Sequence, residues 1–223
     1  NYDDIIFCNR NVEEVTIPNF IKRITTGSFD RCNKLKEIVI LKDSNLEVIE
    51  SLSFYNASIE SLFIPSSLIE LKAGWCVGTT KLTKIEIDPN NKKYLKYNDD
   101  MIIGKQSLFE SINYDEIIFC NRNIVKITIP NFIKKINVGA FDNCKRLQKV
   151  EFSNHSELEI IEEFAFNVST IERFTLPSHL TLINAYAFNA CIQLRVFEIN
   201  EDSKLQKIND WAFMNTSIKS FFI

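Results

Sequence analysis

Residues Asn1–Ile24 read NYDDIIFCNRNVEEVTIPNFIKRI, and residues Asn113–Ile136 read NYDEIIFCNRNIVKITIPNFIKKI. Eighteen of these 24 positions are identical at an offset of 112, so a large block of the chain is duplicated. A finer unit lies inside the block. Apolar residues recur at relative positions 0, 3 and 5: Val12-Val15-Ile17, Leu35-Ile38-Ile40, Ile59-Leu62-Ile64, Leu82-Ile85-Ile87, Ile124-Ile127-Ile129, Leu147-Val150-Phe152, Ile171-Phe174-Leu176, Leu194-Phe197-Ile199 and Ile218-Phe221-Ile223. The spacing is 23 or 24 residues everywhere except between Leu82 and Ile124, where it is 42.

Positions 3 and 5 share one face of a strand, because side chains alternate along a strand with period two. Position 0 anchors the approach to that strand. A unit with one short strand cannot bury its apolar face alone; stacked units bury a continuous core and pair their strands in a parallel sheet. Two kinds of unit alternate. The first places proline straight after the strand, at Pro18, Pro65, Pro130 and Pro177, where a residue without an N–H suits the end of a ladder. The second carries a polar loop, as in KDSNLEVIE, SNHSELEIIE and NEDSKLQKIN. Each unit then has an isoleucine and a short small-aromatic segment, as in Ile24-TTGSF, Ile136-NVGAF, Ile161-EEFAF, Ile183-NAYAF and Ile208-NDWAF. Such segments are too short for a stable lone helix. They predict one-turn α or 3-10 pieces with the phenylalanine filling the core and Thr25, Asn137, Asn184 and Asn209 as N-caps. A short strand before them, around residues 20–24, is a further expectation.

The strand-proline unit, the Ile-x-x-x-Ala-Phe segment and a cysteine three residues after the phenylalanine, as in GAFDNCKRL (Gly139–Leu147), resemble the BspA-type leucine-rich repeat over essentially the whole chain. The resemblance implies a right-handed solenoid. The expected fold class is therefore an α/β leucine-rich-repeat solenoid, with a parallel β-sheet on the concave side and short α/3-10 turns or short strands on the convex side. It also implies a surface-exposed or secreted, often adhesive, protein of a host-associated bacterium or parasitic protist. A single solenoid is expected over residues 1–223, as a fragment of a longer array. Residues 1–11 read as the tail of a preceding insertion, and a hairpin insertion is expected at about 88–123. Within it, Met101-Ile102-Ile103 and Leu108-Phe109 read as a hairpin turning at Gly104. Related hairpins punctuate arrays of the family resembled.

The net charge is −3, with lysine and acidic residues interspersed. Nucleic-acid binders carry a basic excess that is missing here, and no run of ~18 apolar residues provides a membrane span. The expected partner is a protein, of the host surface or extracellular matrix by resemblance, with no nucleic acid and no direct membrane insertion; the oligomeric state is open. No cofactor is expected. Among the six cysteines, Cys144 and Cys191 occupy one repeat position two units apart, roughly 10 Å at ~4.8 Å per stacked strand, beyond disulfide reach. Cys8 and Cys120 are equivalent positions still further apart. Together with Cys32 and Cys76 they read as core thiols, and the absence of a C-x-x-C pair leaves a zinc site unsupported. His155 and His179 lie in loops without any hydrolase or metalloprotease motif around them, so no catalytic residue is assigned. Asp99-Asp100 with Asn98 lacks calcium-loop spacing and reads as a turn. Sequons at Asn56, Asn154, Asn167 and Asn215 are either repeat drift or glycosylation sites in a secreted parent.

The candidate partner-binding surface is the sheet face, formed by the residues flanking repeat position 3. These are Glu14, Thr16, Glu37, Val39, Ser61, Phe63, Lys84, Glu86, Lys126, Thr128, Lys149, Glu151, Arg173, Thr175, Val196 and Glu198, with Ser220 and Phe222 completing the pattern. Phe63 is apolar where solvent is expected, either as an interface anchor or as a contact for the hairpin. The ladder shifts from glutamate-rich to lysine- and arginine-rich, which suits a long partner of complementary polarity. The leading reading, by resemblance, is a cell-surface adhesin that binds a host or matrix protein; the alternative is an intracellular interaction module of the same architecture. Thiols that survive in reducing compartments favour the second.

Overall fold

The computed structural model describes residues 3–6, 8–106 and 113–222. The chain forms two compact units, Asn1–Tyr114 and Asp115–Ile223. Unit 1 contains β1 (Asp4–Ile5), β2 (Glu14–Ile17), β3 (Arg23–Ile24), β4 (Glu37–Ile40), β5 (Val48–Ile49), β6 (Ser61–Ile64), β7 (Glu70–Leu71), β8 (Lys84–Ile87), β9 (Tyr94–Lys96) and β10 (Met101–Gly104). Unit 2 contains β11 (Glu116–Cys120), β12 (Lys126–Ile129), β13 (Lys135–Ile136), β14 (Lys149–Phe152), β15 (Ile160–Ile161), β16 (Arg173–Thr175), β17 (Leu182–Ile183), β18 (Val196–Glu198), β19 (Lys207–Ile208) and β20 (Ser220–Phe222).

Each repeat supplies one strand of three or four residues and one short strand, of two residues except for the five-residue β11. The short strands form parallel ladders in constant register. In unit 1, Ile5, Ile24, Ile49 and Leu71 align across β1-β3-β5-β7. In unit 2, Ile117, Ile136, Ile161, Ile183 and Ile208 align across β11, β13, β15, β17 and β19. The longer strands pair in parallel as β2 with β4 and β6 with β8 in unit 1, and as β12 with β14 and β16-β18-β20 in unit 2. Repeat positions 3 and 5 point inward as the period-two pattern requires: Ile38, Ile40, Leu62, Ile64, Ile127, Ile129, Phe174 and Leu176 are all buried. The proline of each first-type unit opens a tight turn, its carbonyl accepting from the N–H three residues on: Pro18 from Ile21, Pro65 from Leu68, Pro130 from Ile133 and Pro177 from Leu180.

The small-aromatic segments differ from the expected helical turns; no helix occurs among the described residues. The third residue after the aliphatic position adopts a left-handed backbone in every copy: Gly27 (φ 68), Leu52 (φ 56), Gly74 (φ 67), Gly139 (φ 68), Phe164 (φ 55), Tyr186 (φ 57) and Trp211 (φ 58). A left-handed residue cannot continue a right-handed helix. A second left-handed residue follows four positions later, and its N–H turns along the stack to the next repeat: Arg31 to Tyr55 O at 2.7 Å, Asn143 to Asn167 O at 2.8 Å, Val168 to Asn189 O at 2.9 Å and Ala190 to Met214 O at 2.8 Å. The residues expected as N-caps bridge to the preceding turn instead. Thr25 donates to Ile5 O at 2.9 Å, Asn137 to Glu116 at 3.0 Å, Asn184 to Glu162 at 2.7 Å and Asn209 to Asn184 at 2.6 Å. Of the two expected convex-side alternatives, the short strands are the ones present.

The core phenylalanines stack in columns. Phe141, Phe166, Phe188 and Phe213 follow one another at centroid spacings of 4.8, 5.1 and 5.3 Å with near-parallel rings. In unit 1, Phe29 stacks on Phe54 at 5.2 Å and Phe54 meets Trp75 edge-on at 6.1 Å.

The hairpin lies one strand earlier than expected. β10 pairs antiparallel with β9, with Gly104 opposite Tyr94 and Ile102 opposite Lys96, so Gly104 is a strand residue. The turn is Tyr97 to Asp100, where Asp100 N–H donates to Asn98 Oδ1 at 2.9 Å and Lys96 pairs with Asp99 at 2.8 Å. Leu108-Phe109 lies outside the described residues. The buried Tyr94 hydroxyl accepts the Leu71 N–H at 2.7 Å, satisfying a donor of the short ladder.

Candidate functional site: the long-strand faces

All sixteen residues expected on the sheet face lie on its solvent side, exposed or half-buried. In unit 1 the register places Glu14 opposite Glu37, Thr16 opposite Val39, Ser61 opposite Lys84 and Phe63 opposite Glu86. Two carboxylates directly opposite repel. Phe63 and Val39 are half-buried in a small groove of ≈ 220 Å³ bordered by Glu37, Ser61, Lys84 and Glu86. Lys84 and Glu86 pair within their strand at 2.6 Å.

Unit 2 carries the opposite charge at the same places. Lys126 and Lys149 sit opposite each other, and both reach Glu151, at 2.9 and 2.6 Å. Hydrogen bonds from Lys149 and Lys126 hold the Glu151 carboxyl far below the usual carboxylate range, at about 2. Arg173 pairs with Glu198, which also accepts from Thr175 Oγ1 at 2.6 Å. The long-strand sheet of unit 2 is interrupted between β14 and β16, which are not hydrogen-bonded neighbours. An open groove of ≈ 740 Å³ lies over this interruption, bordered by Thr128, Lys149, Glu151, Glu172, Arg173 and Thr175. Sequence reasoning placed the face residues but not the groove. The break is a matter of inter-strand hydrogen bonding, and no residue pattern announces it.

The other expected features are located plainly. Cys32, Cys76, Cys120, Cys144 and Cys191 are buried and Cys8 is half-buried, and none of the six is in a disulfide. Burial pushes the thiols of Cys32, Cys144 and Cys191 up to about 11, so they are protonated at neutral pH and poor nucleophiles. His155 and His179 are exposed, and no group of three or more potential metal ligands occurs among the described residues. Of the sequons, Asn154 and Asn215 are exposed, whereas Asn167 donates to Asp142 at 2.6 Å and accepts from Asn189 at 2.8 Å. No helix among the described residues is long and apolar enough to cross a membrane.

Three solved structures share the fold. A leucine-rich cell surface protein from Faecalibacterium prausnitzii A2-165 aligns with a TM-score of 0.72 and 22% identity over 96% of this chain and 60% of its own. The pneumococcal vaccine antigen PcpA aligns with a TM-score of 0.73 and 20% identity over 94% of this chain and 56% of its own. A leucine-rich-repeat protein from Bacteroides ovatus aligns at 0.56 and 16% identity, over 95% of this chain and 55% of its own. The chain thus spans little more than half the length of the structures it resembles. No curated protein matches it in sequence. The sequence profile of the BspA type leucine rich repeat region matches residues 2–114 and 110–223, in six copies. With parallel ladders in constant register and about nine repeats in the sequence, the chain is a leucine-rich-repeat β-solenoid and belongs to the BspA-type leucine-rich-repeat family.

Proposed function

We propose that the chain is the binding scaffold of a cell-surface adhesin, non-enzymatic, and that the long-strand face of unit 2 takes a segment of a host or matrix protein. The observation that carries this reading is the contrast between core and face across the duplication. Glu14 and Glu37 become Lys126 and Lys149 at an offset of 112, and Val39 and Ser61 become Glu151 and Arg173. The buried Ile17, Ile24, Phe29, Cys32 and Leu35 keep their identity at the same offset, and Leu62 and Ile64 change only to other apolar residues, Phe174 and Leu176. A face that only had to be soluble gains nothing from a reversal of charge at paired positions, whereas one that selects a partner gains specificity from it. The groove between β14 and β16 gives a protein segment room among charged side chains. One similar solved structure is itself named a cell surface protein.

Six cysteines, none in a disulfide, favour a second reading, an intracellular interaction module, because thiols persist in reducing compartments. Antibody labelling of intact against permeabilised cells separates the two. Labelling of intact cells is the expected result. Labelling only after permeabilisation overturns the adhesin reading.

A further inference from the structure

Cys8 and Cys32 are one repeat apart in sequence, and stacking sets them on adjacent turns: Cys8 Sγ lies 3.8 Å from Asn9 O, and in the duplicate Cys144, the counterpart of Cys32, places its Sγ 3.8 Å from Asn121 O, the counterpart of Asn9 O. The segments that carry them are fixed against each other: Cys8 N–H donates to Ser28 O at 3.0 Å, and Arg10 Nε–H donates to Asp30 O at 3.1 Å. Cys32 closes the turn that starts beside Cys8, its N–H donating to Phe29 O at 3.2 Å. Cys32 is buried and Cys8 is half-buried, so one sulfur of the pair is open to a solution oxidant. We propose that Cys8 and Cys32 form an oxidisable pair that closes as a disulfide between two neighbouring turns of unit 1, with a small-molecule disulfide such as oxidised glutathione as oxidant.

The reaction balances as two exchanges. The Cys8 thiolate attacks one sulfur of oxidised glutathione, forming a mixed disulfide and releasing one glutathione thiolate. The Cys32 thiolate then attacks Cys8 Sγ and expels the second glutathione thiolate. Two protein thiols become one disulfide, one glutathione disulfide becomes two thiols, and the two protons pass to solvent or to the leaving thiolates. Burial raises the pKa of both cysteines, which makes the reaction slow at neutral pH and faster at alkaline pH.

The duplication supplies an internal control. Cys120 and Cys144 occupy the equivalent positions, but both are buried. Arg122, the counterpart of Arg10, folds inward there: its guanidinium donates to Ala140 O at 2.9 Å and Gly139 O at 3.2 Å and lies 4.0 Å from Cys144 Sγ. The Arg10 side chain is 56% exposed, while Arg122 is only 2% exposed. In the native protein the oxidant therefore reaches the unit 1 pair and not the unit 2 pair.

The test is peptide mapping by mass spectrometry after treating the native chain with oxidised glutathione at pH 8.5, quenching with acid, and alkylating the remaining thiols under denaturing conditions. The expected result is a peptide pair joined through Cys8 and Cys32, lighter than the two reduced peptides by two hydrogen atoms, with Cys144 alkylated. In Cys32→Ser the glutathione adduct should accumulate on Cys8, because the resolving thiol is gone. A lasting glutathione adduct on Cys8 in the unsubstituted chain, or recovery of both cysteines fully alkylated, overturns the proposal. So does oxidation of Cys144 at the same rate as Cys32.

Discussion

In unit 1, Ile17, Ile24, Phe29, Cys32 and Leu35 fill the core; 112 residues later Ile129, Ile136, Phe141, Cys144 and Leu147 fill the same places, and all ten are completely buried. On the long-strand faces of the same repeats, glutamate stands against lysine and valine against glutamate. The interior is packed near crystal density, so a change of one methylene is felt there, whereas an exposed substitution away from caps and pairs is close to neutral for stability. The same backbone can therefore present two different surfaces. Burial also depends on more than local sequence: Ile6 is 73% exposed and Ile118, its identical counterpart, is 8% exposed. Asp4–Ile5 is a two-residue strand, whereas its counterpart Glu116–Ile117 opens a strand that runs on to Cys120.

A second difference lies in the left-handed positions. Gly27 and Gly139 match, but Leu52 is replaced by Phe164 and Gly74 by Tyr186. Unit 2 thereby acquires an outer stack, Phe164 on Tyr186 at 5.2 Å and Tyr186 on Trp211 at 5.3 Å. A non-glycine residue there costs roughly 1–2 kcal/mol, and each aromatic pair returns about 0.5–1.5 kcal/mol. The two terms are of similar size, which is how bulky side chains persist at positions that suit glycine.

The largest expected effect is at the core column. Phe166→Ala should cost about 3–5 kcal/mol in urea unfolding, because its ring lies between Phe141 and Phe188 and also meets Phe174 at 5.5 Å. Its counterpart Phe54→Ala has fewer ring partners and should cost about 1 kcal/mol less; equal losses would show that ring pairing adds nothing beyond burial. Next is Gly78→Ala. Its φ is +82, and a new Cβ would lie 2.9 Å from the Asn56 backbone nitrogen, so a loss of about 1–3 kcal/mol is expected. The counterpart Ala190→Gly should be near neutral, since relief of the left-handed strain is offset by the added chain entropy of glycine. Losses of similar size at both sites would break the comparison.

Val168 is a β-branched residue at φ 58, where its counterpart is Asn56 at φ 54. Val168→Asn should therefore stabilise unit 2 by about 1 kcal/mol in thermal unfolding. A loss would mean that valine packing outweighs the strain. The smallest effect is electrostatic. The Glu151 carboxyl titrates at about 2 when folded and near 4.3 when unfolded. Its pairing thus stabilises the fold above the unfolded value and is lost as pH falls from about 4 towards 2. Carbon-13 shifts of the Glu151 carboxyl should follow that low titration, and Lys149→Met should move it upward.

Much of this was legible in the sequence. The 0, 3, 5 pattern located the longer strands and the face residues, since inward and outward side chains alternate whatever the partner. The left-handed turns were not legible, because Leu52, Phe164, Tyr186 and Trp211 carry no preference for that conformation. Only Gly27, Gly74 and Gly139 at the same repeat position could have revealed it. The hairpin was displaced because Gly104 suggested a turn, whereas Asn98-Asp99-Asp100 supplies the turn chemistry. The placement of Cys8 and Cys32 on adjacent turns is not visible when only cysteines at equal repeat positions are compared. Residues at different repeat positions in adjacent turns can be the nearer neighbours.

Binding by the long-strand face of unit 2 is the proposal on which the rest depends. The direct measurement is adhesion of protein-coated beads to host cells and matrix, comparing the unsubstituted chain with Lys149→Glu/Arg173→Glu and with a control on the opposite side, Glu163→Lys. All three should fold alike by circular dichroism. The unsubstituted chain and the control should adhere, and the face variant should adhere at least tenfold more weakly. Equal adhesion by the face variant, or loss only in the control, would contradict it.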